Sequence, residues 1–225
     1  MSLRCKFSTM TPSPPSSPNQ RAEFTRGTLR RREMAAQPLE QFRRWLQEAV
    51  DAEVPEPYAT TLATVEPNGA PAARTILLKA VDDDGFVFTS SDSPKTRDMR
   101  KNPNVSLVFY WPALERQVRV SGQAEALSHE ENLALYAVRP HDQRLALLTF
   151  PQSQPISSRE MLEQRFEQLR QGHAGQHIEL PQSWGGWRIV PKTVEFWQGG
   201  MNRLHDRICY SALNNESWSV ERLAP

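Results

Sequence analysis

Cysteine is almost absent from this chain of 225 residues: Cys5 and Cys209 stand near opposite ends. Two thiols without ligand spacing exclude a disulfide framework and a thiolate metal centre, and they suit a reducing compartment. Long apolar runs are also missing, so no segment reads as a membrane span. Excess charge of either sign is lacking, with 27 basic against 26 acidic residues and a net charge of +1. That balance argues against broad nucleic-acid or membrane-surface binding, so any anion site must come from local clusters. No G-x-G-x-x-G or Walker fingerprint occurs, there are no internal repeats, and no group of His, Cys, Asp and Glu has metal-ligand spacing. A soluble, intracellular, cytoplasmic protein is expected, with a chain long enough to bury a sizeable core.

Acidic residues are absent before Glu23. With Pro12, Pro14, Pro15 and Pro18 among serines, residues 1–20 read as a disordered tail. Organellar targeting is compatible with that composition, but no amphipathic arginine helix accompanies it, and a plain flexible tail is the preferred reading. Residues 21–225 read as one domain. Its first block carries Arg26, Arg30, Arg31 and Arg32, either a solvated basic arm or a flap closing over an anion.

Beyond that block the periodicity is clear. Leu39, Phe42, Leu46 and Ala49 recur at helical spacing over 38–52, with Trp45 beside them. The period then drops to that of strands over 58–65, 71–81 and 86–89, with Pro67-Asn68-Gly69 and Asp82 to Gly85 as turns. Pro94 opens a short helix to Lys101. Strands follow over 105–111 and 116–127, and Ser128-His-Glu-Glu131 is a capping box for a helix to about Val138. A short helix over 143–150 and a second capped helix, opened by Ser157-Ser-Arg-Glu160, come next. Strands over 184–190, 194–198, 203–210 and 218–223 close the chain, the last two joined through Asn214-Asn215. Many short strands with tight turns need closure to remove their edges, so the expected fold is mainly β with peripheral helices, an antiparallel β-barrel.

Three places hold groups suited to an anion. Arg74 and Lys79 bracket an apolar strand centre. Ser90 to Lys95 supplies hydroxyls, backbone N–H groups and a lysine at a helix start, a pattern that suits phosphate. In Glu195 to Arg207, residues Arg203, His205 and Arg207 alternate with Leu204 and Asp206. On a regular strand those three would share one face, which suits an anionic ligand as well as a solvated polar surface. Trp184 and Trp187 read as core, and Asp206 as a residue that orients Arg203 or nearby backbone.

The segments Arg74-Thr-Ile-Leu-Leu-Lys79, Leu114-Glu-Arg-Gln-Val-Arg-Val120, Ser183-Trp-Gly-Gly-Trp187, Glu195-Phe-Trp-Gln-Gly-Gly200, Arg203-Leu-His-Asp-Arg207 and Glu221-Arg-Leu-Ala-Pro225 closely resemble the pyridoxine/pyridoxamine 5′-phosphate oxidase family. The resemblance implies an FMN-binding split barrel, a homodimer with FMN between subunits, and oxidation of phosphorylated vitamin B6 forms to pyridoxal 5′-phosphate by O2. It implies that Arg74, Lys95 and Ser153 hold the FMN phosphate. Thr75, Ile76, Leu77, Leu78 and Lys79, with Phe88 and Thr89, would line the flavin, and Gln117, Gln152, Trp197 and Arg207 would surround its ring. Lys79 and Arg139 would grip the substrate phosphate, and Arg203 and His205, with Leu204 between them, would cover the substrate ring as the catalytic pair. The family pattern is broken at Leu135 and Gln143, where a phosphate-binding tyrosine and serine are usual, with Arg144 the candidate replacement. It is broken again at Pro94 (arginine) and Phe24 (tyrosine). Those departures keep two alternatives open, a phenazine-biosynthesis type of flavin oxidase and a non-catalytic flavin- or pyridoxal-phosphate-binding protein.

Overall fold

The computed structural model describes residues 23–214 and 217–225. The expected tail over 1–20 and Asn215 of the last turn lie outside them. Helix α1 (Pro38–Asp51) precedes strands β1 (Ala59–Val65), β2 (Pro71–Val81) and β3 (Phe86–Ser91). Helix α2 (Pro94–Lys101) leads into β4 (Asn104–Trp111) and β5 (Arg116–Ala126). Helices α3 (His129–Ala137), α4 (His141–Ala146) and α5 (Arg159–Gly172) come next, and β6 (Trp184–Gln198), β7 (Asp206–Ala212) and β8 (Trp218–Leu223) finish the chain.

All strand pairs are antiparallel, in the order β3-β2-β1-β4-β5-β6-β7-β8, and β3 also pairs with β6. That extra ladder closes six strands into a barrel. The first half of β6 makes the closure, Thr89 lying opposite Gly186, while its second half carries β7 and β8 outside the ring. Closure removes the edges that short strands would otherwise expose.

Two strands were expected over 184–198, but β6 runs unbroken through Pro191. A register shift opposite Ser121 and Gly122 absorbs the proline, leaving Lys192 as the extra residue of a bulge. Gly122 is required there, because a Cβ would collide with the Val190 carbonyl. The short helix expected over 143–150 instead spans His141–Ala146, opened by Pro140 at its N-cap. The capping box at Ser128 and Glu131 forms as the spacing implies. The next helix is capped by Ser158, which accepts the Met161 N–H, one residue later than its motif begins.

The α1 stripe plugs the barrel. Phe42 is fully buried, 4.8 Å from Phe86 and 4.7 Å from Phe109 between ring centres, and Trp45 packs edge-on against Phe196. Burying one such aromatic contributes about 1.5–3 kcal/mol. Trp187 joins this core as expected, whereas buried Trp184 packs against Tyr136 and the Arg139 guanidinium.

Outside the barrel, Arg188 ties α3 to the β2–β3 turn by bonding both Asp82 and Glu131, at 2.6 and 2.7 Å. The Arg188 hydrogen bond holds the Glu131 carboxyl down at about 2. At Asp82 burial pushes upward, but Arg188 and the Gly85 N–H outweigh it and the pKa is lowered. Depressed carboxylate pKa values contribute stability above the unfolded value that is lost as pH falls through the folded one. The wild-type melting temperature should therefore drop between about 4.5 and about 2, and Arg188→Met should flatten that acid limb. Parallel melting curves against pH for the two proteins would rule this out.

Candidate active site

Strands β2 and β3, the start of α2, the loop at 152–153 and the end of α3 enclose a cleft of about 510 Å³. Arg74, Lys79, Lys95 and Arg139 all line it, with Thr75, Ile76, Leu77, Thr89, Ser93, Gln152 and Ser153, and among the described residues no carboxylate lines it. The Arg74 guanidinium donates from Nη1 to Thr64 Oγ1 at 2.8 Å, and its Nη2 lies 4.0 Å from Asp98. Lys95 is buried, with Nζ donating to Ser93 Oγ at 3.1 Å. Burial lowers the pKa of both, and the nearby Arg74 charge lowers Lys95 further. Two partly desolvated cations held side by side under hydroxyl groups are costly until an anion neutralises them. Phosphate, with oxygens for both a guanidinium fork and an ammonium, fits that demand.

The loop is held by Gln152, whose Oε1 accepts from Ser90 Oγ at 3.2 Å and from the Ser91 N–H at 3.1 Å. Ser153 comes next in the left-handed region, φ 65°. Arg139 stacks over Trp184 at 5.6 Å, and burial lowers its pKa as well. Leu78 and Phe88 point into the barrel core, so only their backbones can border the cleft. A register shift between Leu78 and Ala80 places Lys79 at a bulge, where it turns outward with Leu77.

The other expected residues assemble elsewhere. Gln117 lies opposite Trp197, and Trp197 opposite Arg207, across β5, β6 and β7. The shared strand face expected for Arg203, His205 and Arg207 is not formed. β7 begins only at Asp206, and Arg203 sits in a 3-10 turn over Met201–Arg203. Asn202 and Arg203 both have positive φ, 54° and 62°. Gly200 explains the departure, since a Cβ there would strike the Leu204 carbonyl as the chain doubles back. His205 Nδ1 accepts the Gly200 N–H at 3.1 Å, which leaves the proton of the neutral ring on Nε2. Its ring lies 4.8 Å from Trp197, and Phe24 packs edge-on against both. Arg207 is gripped by Glu195 through two bonds of 2.8 and 3.1 Å. Asp206 bonds the Leu29 N–H and Arg222, orienting backbone rather than Arg203.

These two clusters do not share one pocket. The row Thr75–Thr61–Val108–Arg119–Glu195 crosses four strand steps, about 19 Å at roughly 4.8 Å each. On a closed barrel of six strands those steps turn the outward normal by at least about 120°. Neither Trp197 nor Arg203 is among the residues that line the cleft.

Comparison with known proteins accounts for that division. Residues 46–173 match the family described as pyridoxamine 5′-phosphate oxidase, and residues 184–225 match the pyridoxine 5′-phosphate oxidase C-terminal dimerisation region. The chain belongs to the pyridoxamine 5′-phosphate oxidase family. The pyridoxine/pyridoxamine 5′-phosphate oxidase of Vibrio parahaemolyticus is 47% identical over 206 residues, covering 91% of this chain and 97% of its own. That of Trichormus variabilis is 44% identical, with 91% and 96% covered. Among solved structures, PhzG from Burkholderia lata, crystallised with tetrahydrophenazine-1-carboxylic acid, superposes with a TM-score of 0.81 at 30% identity, over 86% of this chain and 95% of its own. The second cluster lies on the oxidase family's dimerisation region, apart from Gln117 on β5.

At the family's usual tyrosine and serine positions, Leu135 is half-buried and Gln143 exposed, and neither lines the cleft. Arg144 does not replace them. Its guanidinium donates to the Arg139 and Ala137 carbonyls at 2.9 and 2.7 Å and lies over Tyr136, so it closes the end of α3. The basic block before α1 is not drawn over the cleft. Phe24, Arg26 and Leu29 lie along the second cluster through contacts with Trp197, Glu115 and Asp206, while Arg30 and Arg32 pair with Glu33 in the open. Reading residue types alone missed Thr64 and Asp98, which stand behind Arg74. Their link to it depends on a hydrogen bond between residues 34 positions apart.

Proposed function

We propose that this chain is an FMN-dependent oxidase. It converts pyridoxine 5′-phosphate and pyridoxamine 5′-phosphate to pyridoxal 5′-phosphate with O2 as acceptor, giving H2O2 and, from the amine with water, ammonia. The observation that carries this reading is the convergence of Arg74, Lys95, Lys79 and Arg139 on one carboxylate-free cleft. Four cations are more than one phosphate needs, and they suit two: the cofactor's at Arg74 and Lys95, the substrate's at Lys79 and Arg139. Bound FMN supplies the hydride acceptor and the route for two electrons to O2.

The chain's own residues bind, orient and exclude water. Ser153 adds a hydroxyl to the cofactor phosphate, and the β2 backbone from Thr75 to Leu78 lies along the flavin, as do Phe88 and Thr89. Gln152 borders it from the same chain. Gln117, Trp197 and Arg207 come to it from the partner subunit of a homodimer, and so do Arg203, Leu204 and His205 over the substrate ring. With no general base lining the cleft, rate enhancement rests on positioning and electrostatics. We place the enzyme in the cytoplasm, in keeping with its sparse cysteines.

Leu135 and Gln143 favour a second reading, a substrate other than a B6 phosphate, of the kind the PhzG likeness suggests. Identities of 44–47% with named oxidases against 30% with PhzG weigh for the first. Anaerobic mixing of the FMN-loaded protein with pyridoxine 5′-phosphate decides. The flavin absorbance should bleach, then recover in air with pyridoxal 5′-phosphate and H2O2 formed. A flavin that stays oxidised with both B6 phosphates would overturn the assignment.

A further inference from the structure

Asp98 is a buried carboxylate that the proposed chemistry does not use. It is 4% exposed on α2, one turn after Lys95, and its Oδ2 accepts the Thr64 hydroxyl at 2.9 Å. Thr64 has a single hydroxyl proton and gives it to Asp98, so the Thr64 oxygen is left to accept Arg74 Nη1 at 2.8 Å. The hydroxyl is thus a spacer. It keeps the carboxylate 4.0 Å from Arg74 Nη2, close enough to neutralise the guanidinium but too far to occupy its fork.

We propose that Asp98 is the internal counter-anion of the phosphate cradle. Acting through Thr64, it holds Arg74 beside Lys95 while the cradle is empty, and it weakens the grip on phosphate once the cradle is filled. This rests on the reading that Arg74 and Lys95 take the cofactor phosphate. The charges give the sign. Arg74, Lys95 and Asp98 sum to +1, which a dianionic phosphate turns to about −1. Without the carboxylate charge the same sum runs from +2 to about zero. The empty cradle is then more repulsive and the filled one better neutralised. Asp98 is a positioning residue that exchanges cofactor affinity for a stable empty site, and it does so without touching the ligand.

The test measures the FMN dissociation constant, by quenching of flavin fluorescence, and the melting temperature with and without FMN, all on full-length apoprotein. Asp98→Asn keeps an acceptor for Thr64 and removes only charge. It should tighten FMN by about tenfold at low salt, lower the melting temperature of the apoprotein, and enlarge the FMN-induced rise. Riboflavin, which lacks the phosphate, should bind Asp98→Asn as it binds wild type. Thr64→Val, which cuts the link to Arg74, should instead weaken FMN. Weaker or unchanged FMN binding in Asp98→Asn would overturn the proposal, because a merely structural residue gives that result. If Asp98→Asn does not fold, Thr64→Val decides alone, and an unchanged constant there would sink it. Lys95→Met separates this from the underlying reading. If that variant binds FMN like wild type, the cradle itself is misassigned.

Discussion

Lys95→Met should weaken FMN binding by about 10- to 150-fold, the loss of one charge-assisted bond worth about 1.5–3 kcal/mol. Arg74→Ala should fall at the upper end of that range or beyond it, since a guanidinium offers two prongs where lysine offers one. Burial makes these effects larger than a surface pair would give. Lys95 is 8% exposed, and Ser93, to which its Nζ donates, carries no charge. The pH dependence carries a second signature. Burial and then Arg74 hold the Lys95 pKa below the ordinary lysine value, and protonated Lys95 is the form that binds phosphate. FMN affinity should therefore decline as pH rises through that lowered value, and Lys95→Met should abolish this limb. Inorganic phosphate at high concentration should compete with FMN in wild type and much less in either variant. Equal FMN affinity in wild type and Arg74→Ala would place the cofactor phosphate elsewhere.

What the sequence made legible was whatever is decided locally. The Pro67-Asn68-Gly69 turn forms because Asn68 accepts the Ala70 N–H at 2.8 Å and Gly69 takes φ 87°, both within three residues. The stripe Leu39, Phe42 and Ala49 predicted the buried face of α1 for the same reason. The lysine and hydroxyls at the start of α2 stood out from residue types alone, and Ser93 and Lys95 do line the cleft beside Arg74. The failures are places where a distant strand decides. Pro191 reads as a strand end, yet Gly122 on β5 lets β6 continue past it. Alternating charges over Arg203, His205 and Arg207 mimic a strand, because charge pattern cannot report that Gly200 lets the chain double back. The resemblance named the residues expected at the site but not their division between two places on the barrel. That division comes from barrel closure, in which β3 meets β6 at Gly186 while Trp197 is carried away toward β7.

The separation of cleft and cluster has a consequence large enough to measure without a structure of the complex. If each site joins the cleft of one subunit to the Trp197–Arg207 cluster of its partner, Arg74→Ala and Arg203→Ala damage different halves of it. Arg203 is exposed in a strained turn, so its loss should leave the fold intact. Each variant alone should be nearly inactive as a homodimer. Denatured together in equal amounts and refolded with FMN, they should pair at random, and about half the dimers will be mixed. A mixed dimer has one site carrying both lesions and one carrying neither. Activity should therefore return to about one quarter of wild type per mole of protein. Were both halves of each site contributed by the same chain, every site in every dimer would carry a lesion and mixing would restore nothing. Recovery near a quarter would assign the cleft and the cluster to opposite subunits, and no recovery from a refolded, FMN-loaded mixture would place both halves of each site in one chain.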